Sequence, residues 1–237
     1  MRQLLIDGAQ QLELVLSEGQ LDAFEHYGRE LIAWNERVNL TRIVAPGEIA
    51  TKHFLDALSV SLALPELRSP YSIIDVGSGA GLPGLPLKIA LPDIGLTLLE
   101  ATAKKTAFLE HVVGVLGLTG ITILTARAEV IGRRPDQREQ YEVAVARAVA
   151  TLPVLVEYTL PLVKVGGRVI LQKGQDPSSE IKEAAHALQI LGGRVSDVRP
   201  APIPGLEATR HLVIIEKNRP TPEAYPRRPG LPAKKPL

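Results

Sequence analysis

The sequence predicts an α/β protein built on a doubly wound, mostly parallel sheet with an N-terminal helical cap. Three observations carry this expectation. From Tyr71 onward, short apolar runs alternate with helical stretches, the rhythm of parallel strands buried on both faces. The run YSII passes directly into DVGSGAGLPGLP, Asp75 to Pro86, which has four glycines in twelve residues and suits a tight strand-to-helix turn. Ahead of both, residues 1–66 show apolar side chains at spacings of three and four, as in Leu21, Phe24, Tyr27, Leu31 and Trp34.

In chain order, the cap is expected to hold helices over 2–16, 20–36 and 46–63, the last carrying Ile49, Phe54, Leu55, Leu58 and Leu62. The main domain, 67–217, then reads as strand YSIIDV, helix 84–91, strand TLLE, helix 103–117 and strand ITIL. After the break GRRPDQRE come strand YEVAVARA, helix 151–164, a turn at Gly166-Gly167, strand RVILQK, helix 178–191 and strands at 194–199 and 209–217. Right-handed βαβ crossovers wind such a chain into one open sheet. Residues 218–237 carry six prolines, five Lys/Arg and one Glu. That composition predicts a basic, flexible arm, serving either as a phosphate-seeking tether or as a solubilising tail.

Composition narrows the chemistry. The chain of 237 residues is 45% apolar and has no cysteine, which removes disulfides, thiolate metal sites and a cysteine nucleophile. The five histidines include no i, i+4 pair, so no metal site is expected. No apolar run approaches the roughly 18 residues of a membrane span, and the N-terminus lacks the blocks of a signal peptide. A cytoplasmic protein without membrane partners, and a monomer, is expected. The net charge of +1 divides into +4 on residues 218–237 and −3 on the rest.

The glycine loop indicates the ligand. It reads both as G-x-G-x-G (Gly77, Gly79, Gly81) and as G-x-G-x-x-G (Gly79, Gly81, Gly84), so glycine spacing alone does not choose a cofactor. No Gly-Lys-Ser/Thr follows, which argues against a nucleoside triphosphate. Pro83 and Pro86 remove two N–H groups from the segment that would cradle a pyrophosphate, which argues against a dinucleotide. Asp75, at the strand end, is expected to meet a cationic group. S-adenosylmethionine carries an ammonium and a sulfonium and no phosphate. Glu100, nineteen residues past Gly81, is placed to accept from ribose hydroxyls, and Ala128-Glu129 to meet an adenine edge.

At this point the chain resembles a known family. Trp34-Asn35, Asn39-Leu40-Thr41, Lys52-His53-Phe54-Leu55-Asp56, the loop Asp75–Pro86, Lys173-Gly174 and Arg210-His211-Leu212-Val213 stand in the order and spacing of the bacterial 16S ribosomal RNA guanine-N7 methyltransferases called RsmG or GidB. The resemblance covers about residues 20–217. Lys52 and Ala57 stand where members often have Arg and Ser, and the proline-rich tail matches no pattern of the family. The resemblance implies a Rossmann-like class I methyltransferase that uses S-adenosyl-L-methionine on one guanine of 16S rRNA, in the small ribosomal subunit or an assembly intermediate. By matching motif it places Gly77 and Leu82 in the cofactor loop, Glu100, Ala101 and Thr102 at the ribose, Ala128 and Glu129 at the adenine, and Arg147 near the methionine end and the target.

The residues agree with that reaction. After the fourth strand the chain has Ala146-Arg147-Ala148, where amine methyltransferases commonly have an Asn or Asp and two prolines. Arginine is a donor, suited to guanine O6 or a phosphate. Guanine N7 attacks through its lone pair and loses no proton, so no general base is expected and Arg147 is assigned to positioning. A salt bridge from Arg147 to Glu142 or Asp75 is the alternative. Lys104, Lys105, Arg127, Lys173, Arg210 and His211 are the candidate RNA contacts. Trp34 is expected in the core, and His53 as a satisfied buried side chain. Nine aromatics in the chain are too few for recognition by stacking, so a folded RNA surface read through phosphates and shape is expected, with salt-sensitive binding. A small-molecule methyltransferase, a dinucleotide oxidoreductase and a non-enzymatic RNA-binding module are the competing readings.

Overall fold

The computed structural model describes residues 1–64, 71–206 and 209–237. Its centre is a seven-stranded sheet in the order β3-β2-β1-β4-β5-β7-β6. The strands are β1 (Ser72–Val76), β2 (Gly95–Glu100), β3 (Ile121–Thr125), β4 (Tyr141–Arg147), β5 (Val163–Lys173), β6 (Gly193–Ala201) and β7 (Arg210–Lys217). The first five pair in parallel, and β7 runs antiparallel between β5 and β6. Strand order reverses between β1 and β4, which in open α/β sheets is where a ligand crevice forms.

The near-continuous apolar runs follow from burial on both faces. Ile73, Leu96, Leu98, Val143, Val145, Ile170, Leu212 and Ile214 belong to one core cluster. Their neighbours Ile74, Val76, Leu99, Ala144, Ala146, Val169, Leu171, Val213 and Ile215 belong to the other. Helices α1 (Arg2–Gln11), α2 (Glu18–Asn35), α5 (Gly84–Ala90) and α6 (Ala103–Val115) contribute to the first cluster. Helices α7 (Ala128–Ile131), α8 (Leu152–Thr159), α9 (Ser178–Glu183) and α10 (Ala185–Leu191) flank the second.

The cap is built locally and seated by aromatics. Ser17 opens α2 with a capping box closed by Gln20, which satisfies two end groups reciprocally. Residues 46–63 form one helical run: α3 (Pro46–Ile49), a π turn over Ala50–Leu55, α4 (Asp56–Leu58) and a 3-10 turn over Ser59–Ala63. Phe54 packs against Phe24 and Tyr27 with ring centroids 5.1 and 5.0 Å away, and Tyr27 reaches Phe108 of α6 at 6.4 Å. Trp34 is half-buried against Phe108 and His111, at 5.7 and 5.0 Å. The boundary expected at 66/67 falls among residues 65–70, outside the described residues.

Four expectations change. The helix expected over 178–191 is two, α9 and α10, broken at Ala184. Helix α1 stops at Gln11 rather than 16, the chain turning at Glu13 with φ 61°. Helix α8 ends at Thr159 rather than 164. A 3-10 turn with Pro161 follows, and β5 begins at Val163, so Gly166-Gly167 is a bulge inside the strand rather than a turn before it. Gly166 has φ 87°, and a Cβ on Gly167 would lie 2.6 Å from the Glu142 carbonyl oxygen. Lastly, residues 218–237 are packed on the body rather than extended as a flexible arm. Thr221, Pro226 and Pro232 are buried, and a short helix α11 (Leu231–Lys234) lies near the end. Composition suggested disorder because a proline-rich segment forms few bonds of its own; here its carbonyls are met by arginines of another loop. Among the described residues no helix is long and apolar enough to cross a membrane.

Candidate functional site

A cavity of about 510 Å³ opens at the carboxyl ends of β1, β2 and β4, a size suited to a nucleoside-sized ligand. Its floor is the glycine loop. Gly77, Gly79 and Gly81 all have positive φ. At Gly77 the need for glycine is double, since a Cβ there would lie 2.6 Å from Val149. Gly77 and Ser78 donate N–H bonds to the Leu99 carbonyl at 2.8 and 3.1 Å, holding the loop against β2.

Glu100 fastens the same loop from above. It is 7% exposed; Oε2 accepts from Gly79 N at 3.0 Å and Oε1 from Thr102 N at 2.8 Å. Each oxygen keeps a further lone pair for a ligand hydroxyl. Thr102 therefore takes part through its backbone, whereas Ala101 lines the cavity itself.

Asp75 lies elsewhere than expected. Its side chain is wholly buried beneath the loop, where Oδ2 accepts from Gly84 N at 2.8 Å, and it does not line the cavity. The β1 pleat turns this side chain inward, so it props the loop rather than touching a ligand's cation. Burial pushes its carboxyl up to about 7, against the opposing pull of the Gly84 N–H and Arg147. Its Oδ1 has no partner among the described residues. Gly81 likewise shapes the loop from outside the cavity wall. Tyr27 of α2, which sequence reading placed only on an apolar stripe, donates its buried hydroxyl to the Ala80 carbonyl. The cap thus grips the loop directly.

The opposite wall joins β4 to the cap. Arg147 donates from Nη1 to Asp56 Oδ2 at 2.7 Å and to the Lys52 carbonyl at 3.2 Å. Arg210 donates from Nε to the other oxygen, Oδ1, at 3.1 Å. One carboxylate, 5% exposed, therefore holds two arginines. Arg147 is indeed in a salt bridge, but with Asp56 rather than Glu142 or Asp75; Glu142 is engaged by Ser72 and Lys164. His53 lines the cavity beside Arg147, with Nε2 2.7 Å from Thr41 Oγ1 and Nδ1 3.1 Å from the Lys52 carbonyl. Burial, then the Arg147 charge, lowers His53 to about 4, so it is neutral at pH 7. Asn35 Oδ1 accepts from Leu40 N and Thr41 N at 2.8 and 2.9 Å, folding Thr41 back to the cavity; this is the structural use of the W-N-x-x-x-N-L-T run.

Leu82, Ala128, Glu129, Lys105 and Arg127 also line the cavity. Lys105 Nζ stands 4.0 Å from Glu100 Oε2, and Arg127 is exposed at the rim. Lys104 is exposed but outside the wall. Lys173 is tied to Glu180 Oε2 at 2.7 Å and to the Ala150 carbonyl at 3.2 Å, and Arg210 is held by Asp56. Both are committed within the chain, whereas Lys104 and Arg127 have no polar partner among the described residues. His211 is half-buried, its Nδ1 without a partner among the described residues. Asp56 was quoted in the sequence motif without a role; only the fold shows what it holds.

A parallel strand order of 3-2-1-4-5 with an antiparallel β7, a glycine loop at the switch point and an acid ending β2 define a class I methyltransferase. A SAM-dependent O-methyltransferase from Thermotoga maritima shares the fold, with a TM-score of 0.52 at 18% identity over 81% of this chain and 73% of that one. The family model described as GidB, rRNA small subunit methyltransferase G, matches residues 20–213, and the chain belongs to that family. Proteins named ribosomal RNA small subunit methyltransferase G are 52% identical in Roseiflexus castenholzii, over 94% of both chains, and 50% identical in Roseiflexus sp. strain RS-1, over 99% of both. The chain is an S-adenosylmethionine-dependent rRNA methyltransferase. The site fits that cofactor: the segment Gly77–Pro86 carries no charged side chain, and two buried acids, Glu100 and Glu129, line the cavity with hydrogen-bond capacity to spare.

Proposed function

We propose that this enzyme methylates N7 of one guanine in 16S rRNA, within the small ribosomal subunit or an assembly intermediate, and that it works in the cytoplasm as a monomer. We assign residues 1–66 as the cap and 67–217 as the methyltransferase domain. The cofactor-binding residues are Gly77, Gly79, Leu82, Glu100, Ala101, Ala128 and Glu129, with Thr102 acting through its backbone and Arg147 at the methionine end.

The observation that carries this reading is the wall around Arg147. His53 has both ring nitrogens engaged and is neutral; Asp56 is occupied by two guanidinium groups. Neither group is poised to take a proton. A site so arranged suits a nucleophile that has none to give, and guanine N7 is such a nucleophile. The bound cofactor supplies an electrophilic methyl on a positive sulfur. The protein's part is alignment: the glycine loop and Glu100 fix one partner, while Arg147, aimed by Asp56, donates to guanine O6 or a flanking phosphate. Because Asp56 offsets the arginine charge, the positive charge that develops on the methylated base meets less repulsion than a bare guanidinium would cause. Arg127 and Lys104, without a polar partner among the described residues, are cations from which RNA contact would start.

The direct test supplies labelled S-adenosylmethionine and small subunits from a strain lacking this methylation, then digests the RNA. Labelled 7-methylguanosine at one position is expected. Label on an exocyclic amine or on a ribose would refute the reading.

A further inference from the structure

We propose that the C-terminal segment is part of the cofactor site: Gly230 sets the Glu129 carboxylate, and Ala233 walls the nucleoside end of the cavity. This rests on reading the cavity as the S-adenosylmethionine site. The family match ends at residue 213, so it does not describe this segment.

The path of the segment is over-determined. Prolines leave carbonyls with few N–H partners in their own stretch, and these acceptors are taken by two arginines of the loop before β4. Arg138 donates to the Thr221 and Tyr225 carbonyls at 2.6 and 2.7 Å, and Arg133 to those of Ala224 and Pro226 at 2.8 and 2.7 Å. Arg227 then forks onto Glu157, a wholly buried acid of α8, with Nη2 to Oε2 at 2.6 Å and Nε to Oε1 at 2.9 Å. These anchors deliver the chain to the cavity. Gly230, with φ 81°, turns it into α11 and donates its N–H to Glu129 Oε1 at 2.8 Å. One turn later Ala233 stands in the cavity wall.

Glu129 is 2% exposed, and Gly230 is its hydrogen-bond donor among the described residues. Oε2 is left for a ligand, and a buried carboxylate that lines a cavity is complemented by an N–H donor such as the exocyclic amine of adenine. The segment therefore orients the acid on one oxygen while the ligand takes the other.

The test compares the full chain, a chain ending at Pro229 that keeps the Arg227 anchor, and the full-length variant Ala233→Trp. Binding of S-adenosylhomocysteine and of 5′-methylthioadenosine, which lacks the amino acid, is measured by calorimetry, with melting of each free protein as control. Truncation is expected to weaken both ligands equally, by roughly tenfold, the order of one hydrogen bond to a charged group. Ala233→Trp should change both affinities together, with melting unchanged. Wild-type affinities in Ala233→Trp, or a loss confined to S-adenosylhomocysteine, overturn the proposal, and Ala233→Trp decides alone if the truncated chain does not fold. If the intact chain binds neither ligand, the cofactor reading itself fails, a result distinct from intact binding that the variants leave unaltered.

Discussion

Replacing Asp56 by Asn tests the arrangement at the Arg147 wall of the cavity. The carboxylate is 5% exposed and faces Arg147 and Arg210, whose side chains are 17% and 28% exposed. Removing one partner of a buried ion pair costs about 3–5 kcal/mol. Here both cations retain some access to water, which lowers the expectation to about 2–4 kcal/mol. For a domain of this size each kcal/mol shifts the melting temperature by roughly 2–4 °C, so a fall of about 5–15 °C is expected. Arg147 would also lose its aim. Turnover on small subunits should drop about 10- to 100-fold, the scale of a lost positioning contact. A double-mutant cycle with Arg147→Met separates this from general damage, because contacting residues should couple by at least about 1 kcal/mol. Normal melting and turnover in Asp56→Asn, or additive effects in the cycle, would show that the clamp positions nothing.

Tyr27→Phe removes the donor to the Ala80 carbonyl and leaves a buried acceptor unpaired, so a loss of about 1–3 kcal/mol in urea unfolding is expected. Glu100→Ala frees both the Gly79 and Thr102 amides and deletes the acceptor we propose for the ribose; calorimetry should show S-adenosylhomocysteine binding weakened about 10- to 100-fold. Asp75 gives a pH signature. Burial raises its carboxyl from an ordinary 3.8 to about 7, so the folded chain holds an extra proton between those values, and its contribution to stability is lost as pH rises from 4 to 7. In Asp75→Asn the melting temperature should fall less over that interval than in the parent; an equal fall would place the titration elsewhere.

Much of the fold was legible because its signals are local. Strand runs and the glycine loop with Glu100 nineteen residues beyond it are set by neighbours in the chain, and each formed where sequence reading put it. Boundaries moved where a local rule met a tertiary demand, as at Gly166-Gly167. There β5 must bulge to keep register with β4, and glycine supplies the positive φ.

The sequence by itself determined the sheet, the glycine loop and, through its motifs, the family. Tertiary structure alone decided which charges meet. Asp56 reaches Arg147 across 91 residues and Arg210 across 154, and the Gly230 amide reaches Glu129 across 101. No periodicity or spacing encodes such pairs, because a buried charge is partnered by whatever the fold brings within hydrogen-bond distance. The C-terminal segment makes the same point. Its composition describes a chain unable to bury a core of its own, but its order comes from Arg133, Arg138 and Glu157, partners that only the folded body supplies.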